Sequence, residues 1–263
     1  MRKQILNIGI AAIIAGTVFT GCQGTPTVEE GTYSDTAVSA PAESTDGFFN
    51  FDPPQVGEKI AVIKVKDYGE IKIKLFPEQA QKGVENFVGL AEMNYYDELI
   101  FHRIIENFMI QGGDPKGNGT GGNSIWGSDF DGGIPEGLYH FSGAVAYANS
   151  GSTSTNGSQF YIVNTPEGYV SYGAGYDAAG NYVMINSFEE MEKMTGKTIP
   201  EAVKQKYLEV GGTPFLDGGY TVFGQVFEGM DIVRALGSVE TDDNDKPITQ
   251  VLMESVEIVE YQG

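Results

Sequence analysis

The chain has 263 residues, 41% of them hydrophobic, which is enough for one large domain or two small ones with a real core. Its formal charge of −20 makes nucleic acid an unexpected partner, because phosphate binding depends on clustered Lys and Arg. The acidity fits solubility in an exposed, salt-containing compartment, and the single cysteine, Cys22, leaves the core to hold by packing without a disulfide.

At the N-terminus Arg2 and Lys3 precede an uncharged, largely apolar run from Ile5 to Phe19, followed by Thr20-Gly21-Cys22. This is the layout of a secretory signal, and the run is short of the roughly 20 residues that a spanning helix needs. Its end resembles the lipobox of bacterial lipoproteins, with Phe19 where leucine is usual. The resemblance implies that residues 1–21 are a signal peptide, that Cys22 takes a diacylglycerol, and that the protein is extracytoplasmic and lipid-anchored to a bacterial membrane. A plain secretory signal and an uncleaved anchor are the alternatives.

Residues 22–57 are rich in Thr, Ser, Ala, Pro, Gly and acids and read as a flexible acidic tether. Phe48, Phe49 and Phe51 are too apolar for a free linker and are expected to dock on the domain that follows, residues 58–263. There, Ile60 to Lys66 and Glu70 to Phe76 alternate apolar and charged residues around Asp67-Tyr68-Gly69, which predicts an antiparallel hairpin. Pro77 and Glu78 open a segment in which Ala80, Val84, Phe87, Val88, Leu90 and Ala91 recur at helical spacing. Further strands are predicted at Leu99–Ile105, Phe108–Gln111, Gly143–Ala148, Phe160–Asn164, Thr221–Val226 and Val251–Glu260, with a second helix over Val226–Leu236. Many short strands with one early and one late helix predict an antiparallel barrel capped by helices. Within 165–213, Gly168 to Tyr182 reads as loop, and short helices are expected at Phe188–Met194 and Pro200–Leu208, with Pro200 at a first helical position.

Two segments carry the chemistry: Phe101-His102-Arg103-Ile104-Ile105-Glu106-Asn107-Phe108-Met109-Ile110-Gln111-Gly112-Gly113-Asp114, and Asn149 to Tyr161, which ends in Asn156-Gly157-Ser158-Gln159-Phe160-Tyr161. Together they resemble the signature blocks of the cyclophilin family of peptidyl-prolyl isomerases. The resemblance implies a mainly β fold: a closed antiparallel eight-stranded β-barrel capped by two α-helices, here with a helical and loop insert at about 165–213. It implies rotation of X-Pro bonds without a cofactor. Arg103 is the implied hydrogen-bond donor to the prolyl nitrogen, and Gln111 the amide that helps position Arg103 and the substrate carbonyl. Phe108, Met109, Tyr161 and Leu216 are the implied walls of a proline pocket, and Ala148 and Asn149 contact the residues before proline. His102, Phe160, Phe215 and Tyr220 belong to the same neighbourhood, and Thr120 lies by a glycine-rich groove wall.

Three residues depart from the family pattern: Tyr161 for phenylalanine, Phe215 for tryptophan and Tyr220 for histidine. The first brings a hydroxyl to the proline pocket, and the second puts tight cyclosporin binding in doubt. Gly117-Asn118-Gly119-Thr120-Gly121-Gly122 lacks the Lys-Ser/Thr of a phosphate loop. Asp242-Asp243-Asn244-Asp245 lacks the glycine and glutamate of an EF-hand and reads as a solvated turn, and His102 and His140 are too isolated for a metal site. The expected enzyme is therefore a monomeric, metal-free isomerase of exported, proline-containing polypeptides, assisting their folding outside the cytoplasm. A proline-peptide binding module or holdase with little catalysis is the alternative. A solute-binding lipoprotein would need two α/β lobes, which the antiparallel strand pattern opposes.

Overall fold

The structure is a computed structural model that describes residues 47–177 and 179–263; the signal segment and Cys22 lie outside them. Among the described residues, no helix is long and apolar enough to cross a membrane.

Strands β1 (Lys59–Val65) and β2 (Gly69–Leu75) form the expected hairpin, turned through Asp67, whose φ of 66° is left-handed. Ile71, Ile73 and Leu75 point into the core while Lys72 and Lys74 alternate outward, as a period of two requires. After helix α1 (Gln81–Glu92) come β3 (Arg103–Ile105), β4 (Met109–Gly112), β5 (Ala144–Tyr147) and β6 (Phe160–Val163). Past the insert come β9 (Val222–Glu228), α4 (Met230–Gly237) and β10 (Met253–Glu260); the insert itself holds β7 (Ala174–Tyr176), β8 (Tyr182–Met184), α2 (Phe188–Thr195) and α3 (Glu201–Val210).

The main sheet has eight strands in the order β10-β1-β2-β9-β5-β6-β4-β3, with antiparallel pairing throughout. Its two edges meet at a bridge between Ile100 and Leu252. There the Phe101 N–H donates to Val251 O at 2.9 Å and the Met253 N–H to Leu99 O at 2.8 Å, so the sheet closes into a barrel. The interior is packed with Ile63, Ile71, Ile73, Phe101, Phe160 and Phe223, all fully buried. Each contributes about 1.5–3 kcal/mol by leaving water, so these side chains make the barrel interior a packed core, and a ligand site is expected on its outside. Helix α1 buries Val84, Phe87, Leu90 and Ala91, and α4 buries Val233 and Leu236.

The insert departs from expectation chiefly between Gly168 and Tyr182, which is not all loop, since β7 pairs with β8 across an Asp177-to-Asn181 turn. Asp177 Oδ1 accepts the N–H groups of Ala179 and Asn181 and closes that turn. Helix α2 starts as read, with Ser187 accepting from the Glu190 N–H and the Glu190 carboxylate accepting from the Asn186 N–H. Pro200 is the N-cap of α3, one position earlier than read. A second, smaller core joins Ile185, Phe188, Met191, Ile199, Val203 and Tyr207 of the insert to Phe141 and Phe48. Phe48 thus docks: its ring lies 5.3 Å from that of Phe141, and buried Asn50 exchanges two hydrogen bonds with the Tyr139 backbone.

Candidate active site

Strand register places the site. Arg103 of β3 lies opposite Gln111 of β4, which lies opposite Tyr161 of β6, and Ile105 opposite Met109 opposite Val163. Ile104, Ile110 and Ile162 between them are buried in the barrel, so alternation sends these two rows outward. A short 3-10 turn, Pro214–Leu216, comes over this outer surface: the Phe215 ring stacks on Phe108 at 5.8 Å, and Tyr220 meets Tyr161 edge-on at 5.8 Å. Phe108, Phe215 and Tyr220 stay half-buried, whereas Met109, Tyr161 and Leu216 are 3%, 4% and 6% exposed. The result is an outer aromatic and aliphatic patch, a shallow slot floored by the covered Met109, Tyr161 and Leu216 and rimmed by the half-exposed Phe108, Phe215 and Tyr220.

Arg103 stands at this rim with 38% of its side chain exposed. Its Nε and Nη2 both lie 3.2 Å from Asp245 Oδ2. Asp245 has a left-handed φ of 63°, and its carbonyl accepts the Ile104 N–H at 2.8 Å, so backbone and side chain together tie it to the arginine strand. The solvated-turn reading of residues 242–245 is corrected for Asp245: it holds the guanidinium. The role given to Gln111 changes with it. The Gln111 amide donates to Gln159 Oε1 at 2.9 Å, and Gln159 donates to Gly121 O at 2.8 Å, so this amide chain faces the glycine loop while Asp245 orients Arg103.

Beyond Gln111 and Gln159 lies a groove of about 730 Å³, whose lining includes Thr120, Gly121, Ala148 and Asn149. Asn149 reaches across to the slot wall, donating to Gly219 O at 3.0 Å. The glycine loop over this groove is organised by Asp114, which is 1% exposed and accepts the N–H groups of Lys116, Asn118, Gly119 and Thr120 at 2.6–3.1 Å. Burial pushes the Asp114 carboxyl up, but these amides outweigh it and hold its pKa below the ordinary value. Asn86 of α1 braces the other end, donating to Gly157 O and accepting from the Ile125 N–H, both at 2.9 Å.

Two expected contact residues are placed elsewhere. Phe160 alternates inward from Tyr161 and is fully buried against Phe87, Tyr96 and Phe101, so it supports the site from inside the barrel. His102 alternates away from Arg103 and is 6% exposed, with neither ring nitrogen hydrogen-bonded. Burial lowers its pKa, against the opposing pull of Asp114. Tyr161 does border the slot, and its hydroxyl is buried without a partner; burial drives its pKa far up. Sequence reasoning missed Asp245, Gln159, Asp114 and Asp217. Gln159 and Asp114 stood inside the quoted segments, and the bonds of Asp114 to the loop amides are local, while Asp245 and Asp217 owe their roles to contacts between separate parts of the fold. Among the described residues, no cluster of His, Cys, Asp and Glu could hold a metal ion.

An external apolar slot, a fixed guanidinium and an open amide-lined groove on a closed barrel define a binder of extended peptide that can act on an amide without a nucleophile. The family model for cyclophilin type peptidyl-prolyl cis-trans isomerase/CLD matches residues 60–258. A Staphylococcus saprophyticus protein named for peptidyl-prolyl cis-trans isomerase activity is 38% identical over 207 residues, covering 78% of this chain and 94% of the relative. A Streptococcus pyogenes protein named as a bifunctional phosphatase and peptidyl-prolyl cis-trans isomerase is 40% identical over 73% of this chain and 37% of its own length. A crystal structure of a Cryptosporidium parvum cyclophilin type isomerase, in the presence of the dipeptide Ala-Pro, superimposes with a TM-score of 0.56. It is 29% identical to this chain, covering 77% of it and 99% of the parasite chain. This chain belongs to the cyclophilin-type peptidyl-prolyl cis-trans isomerase family, and it is an enzyme of that activity.

Proposed function

We propose that the enzyme rotates X-Pro bonds of exported polypeptides outside the cytoplasm, anchored by a lipid on Cys22, with Arg103 as the catalytic group. The placement of Arg103 and Asp245 at the rim of the Phe108–Phe215 slot carries the catalytic part of this reading. Arg2, Lys3, the apolar run and Cys22 carry the cellular part.

An X-Pro bond resists rotation by roughly 18–20 kcal/mol because its C–N bond has double-bond character. Twisting makes the prolyl nitrogen pyramidal and gives it a lone pair. A guanidinium N–H directed at that nitrogen binds the twisted amide better than the planar one, and only such a difference accelerates the step. Arginine suits this because it stays protonated and its donors form a rigid fork. In this mechanism Phe108, Met109, Tyr161 and Leu216 hold the proline ring, Gln111 meets the substrate carbonyl, and Ala148 and Asn149 bind the residues before proline along the groove.

The test is exchange NMR on a short X-Pro peptide with the full chain and its Arg103→Ala variant. The parent should broaden the cis and trans lines, and the variant should bind the peptide with little exchange. Equal exchange by both proteins would remove Arg103 from the mechanism. The insert keeps a second reading in view, a holdase using the same groove, because Tyr176 and Met184 on one face of the β7–β8 hairpin are 70% and 56% exposed. Tight peptide binding by the parent with no exchange would favour it.

A further inference from the structure

The insert converges on the wall of the slot from three directions. Asp217 directly follows the wall residues Phe215 and Leu216, and its Oδ2 accepts the hydroxyl of Tyr207, on α3, at 2.7 Å. Its Oδ1 accepts the His140 N–H at 3.0 Å and lies 2.8 Å from His140 Nδ1, while its carbonyl accepts Lys197 Nζ at 3.1 Å. Tyr207 is fully buried, with its ring 4.4 Å from that of Phe141, so the hydroxyl is delivered from a fixed position. Gly173, just before β7, supports the same wall: a Cβ there would stand 2.7 Å from the Phe215 ring. The contacts of a free surface elaboration would stay within the insert; these end on the strip that forms one side of the slot.

We infer that the insert is a brace for the proline pocket, in which Asp217 is a positioning residue and Tyr207 its anchor, together setting how closely Phe215 and Leu216 approach Phe108. The inference rests on reading this slot as the proline site. The proline ring stays seated while the preceding carbonyl swings, so the wall touches the planar and twisted states alike. Loosening it should weaken uniform binding and appear in KM, with kcat left to Arg103.

The experiment measures kcat and KM on an X-Pro peptide for the full chain and for Tyr207→Phe, with Arg103→Ala in the same series and Tm recorded for each. Tyr207→Phe preserves ring packing and removes only the hydroxyl, and it should raise KM about three- to ten-fold with kcat within about two-fold of the parent. Lys197→Met, an exposed change that leaves the core intact, should raise KM in the same sense by about two-fold. An unchanged KM in both variants, whether or not Tm falls, would overturn the brace, as would a fall in kcat alone. Activity retained by Arg103→Ala would instead overturn the reading of the site itself.

Discussion

Arg103 was legible as a candidate because of its neighbours in the chain, whereas Asp245, which holds it, lies 142 positions away and only the fold brings the two together. An exposed ion pair contributes at most about 1 kcal/mol. Asp245→Asn should therefore lower kcat/KM only about three- to five-fold, against about 100-fold for Arg103→Ala, which loses the donor itself. Steady-state kinetics on one X-Pro peptide checks both. Asp114 and His102 give the domain an acid limb. The Asp114 carboxyl has its folded pKa below the unfolded value of 3.8, so its stabilisation is full above that pH and lost as pH falls through the folded value. His102 is also depressed, from 6.5, by burial: the unfolded chain takes up the proton first, so stability begins to fall below about pH 6.5. Urea titrations across about pH 3–8 should show stability falling with pH in both windows, and His102→Gln should flatten the upper fall.

At the scale of elements, the first hairpin and the two capping helices could be read because their apolar residues repeat at periods of two and of 3.6. The β7–β8 hairpin could not: Ala174-Gly175-Tyr176 pairs through a turn set by the Asp177 side chain, and its Gly-Tyr mixture shows no apolar alternation. Phe160 and Tyr161 show a subtler limit, since adjacent strand residues face opposite ways and a family motif does not say which of the two meets the ligand. Docking of the aromatic segment was legible from composition, but not its receptor, the second core around Phe141 and Tyr207. Phe48→Ala should cost about 3 kcal/mol of stability, by loss of buried area and an incompletely closed cavity. Its urea midpoint should fall while KM for a short peptide changes little.

At the scale of the whole molecule, the proposed anchor at Cys22 would hold a strongly acidic chain through the polar segment between Cys22 and Phe48, and that acidity would keep the domain from lying against anionic lipid. If Cys22 carries the lipid, labelled fatty acid should be incorporated into the parent protein and not into Cys22→Ser, and the variant should leave the membrane fraction. Label in Cys22→Ser would contradict the anchor while leaving the isomerase intact. In an unfolded chain X-Pro isomerisation takes tens to hundreds of seconds uncatalysed, which is the delay the proposed activity would shorten.

The direct test of a guanidinium steadying a half-turned amide is refolding of a protein whose slow phase is limited by one X-Pro bond, followed with catalytic amounts of the full chain or of Arg103→Ala. The parent should shorten that phase in proportion to its concentration, and the variant, equally folded by circular dichroism, should leave it near the uncatalysed rate. Equal acceleration by the two proteins would contradict the account.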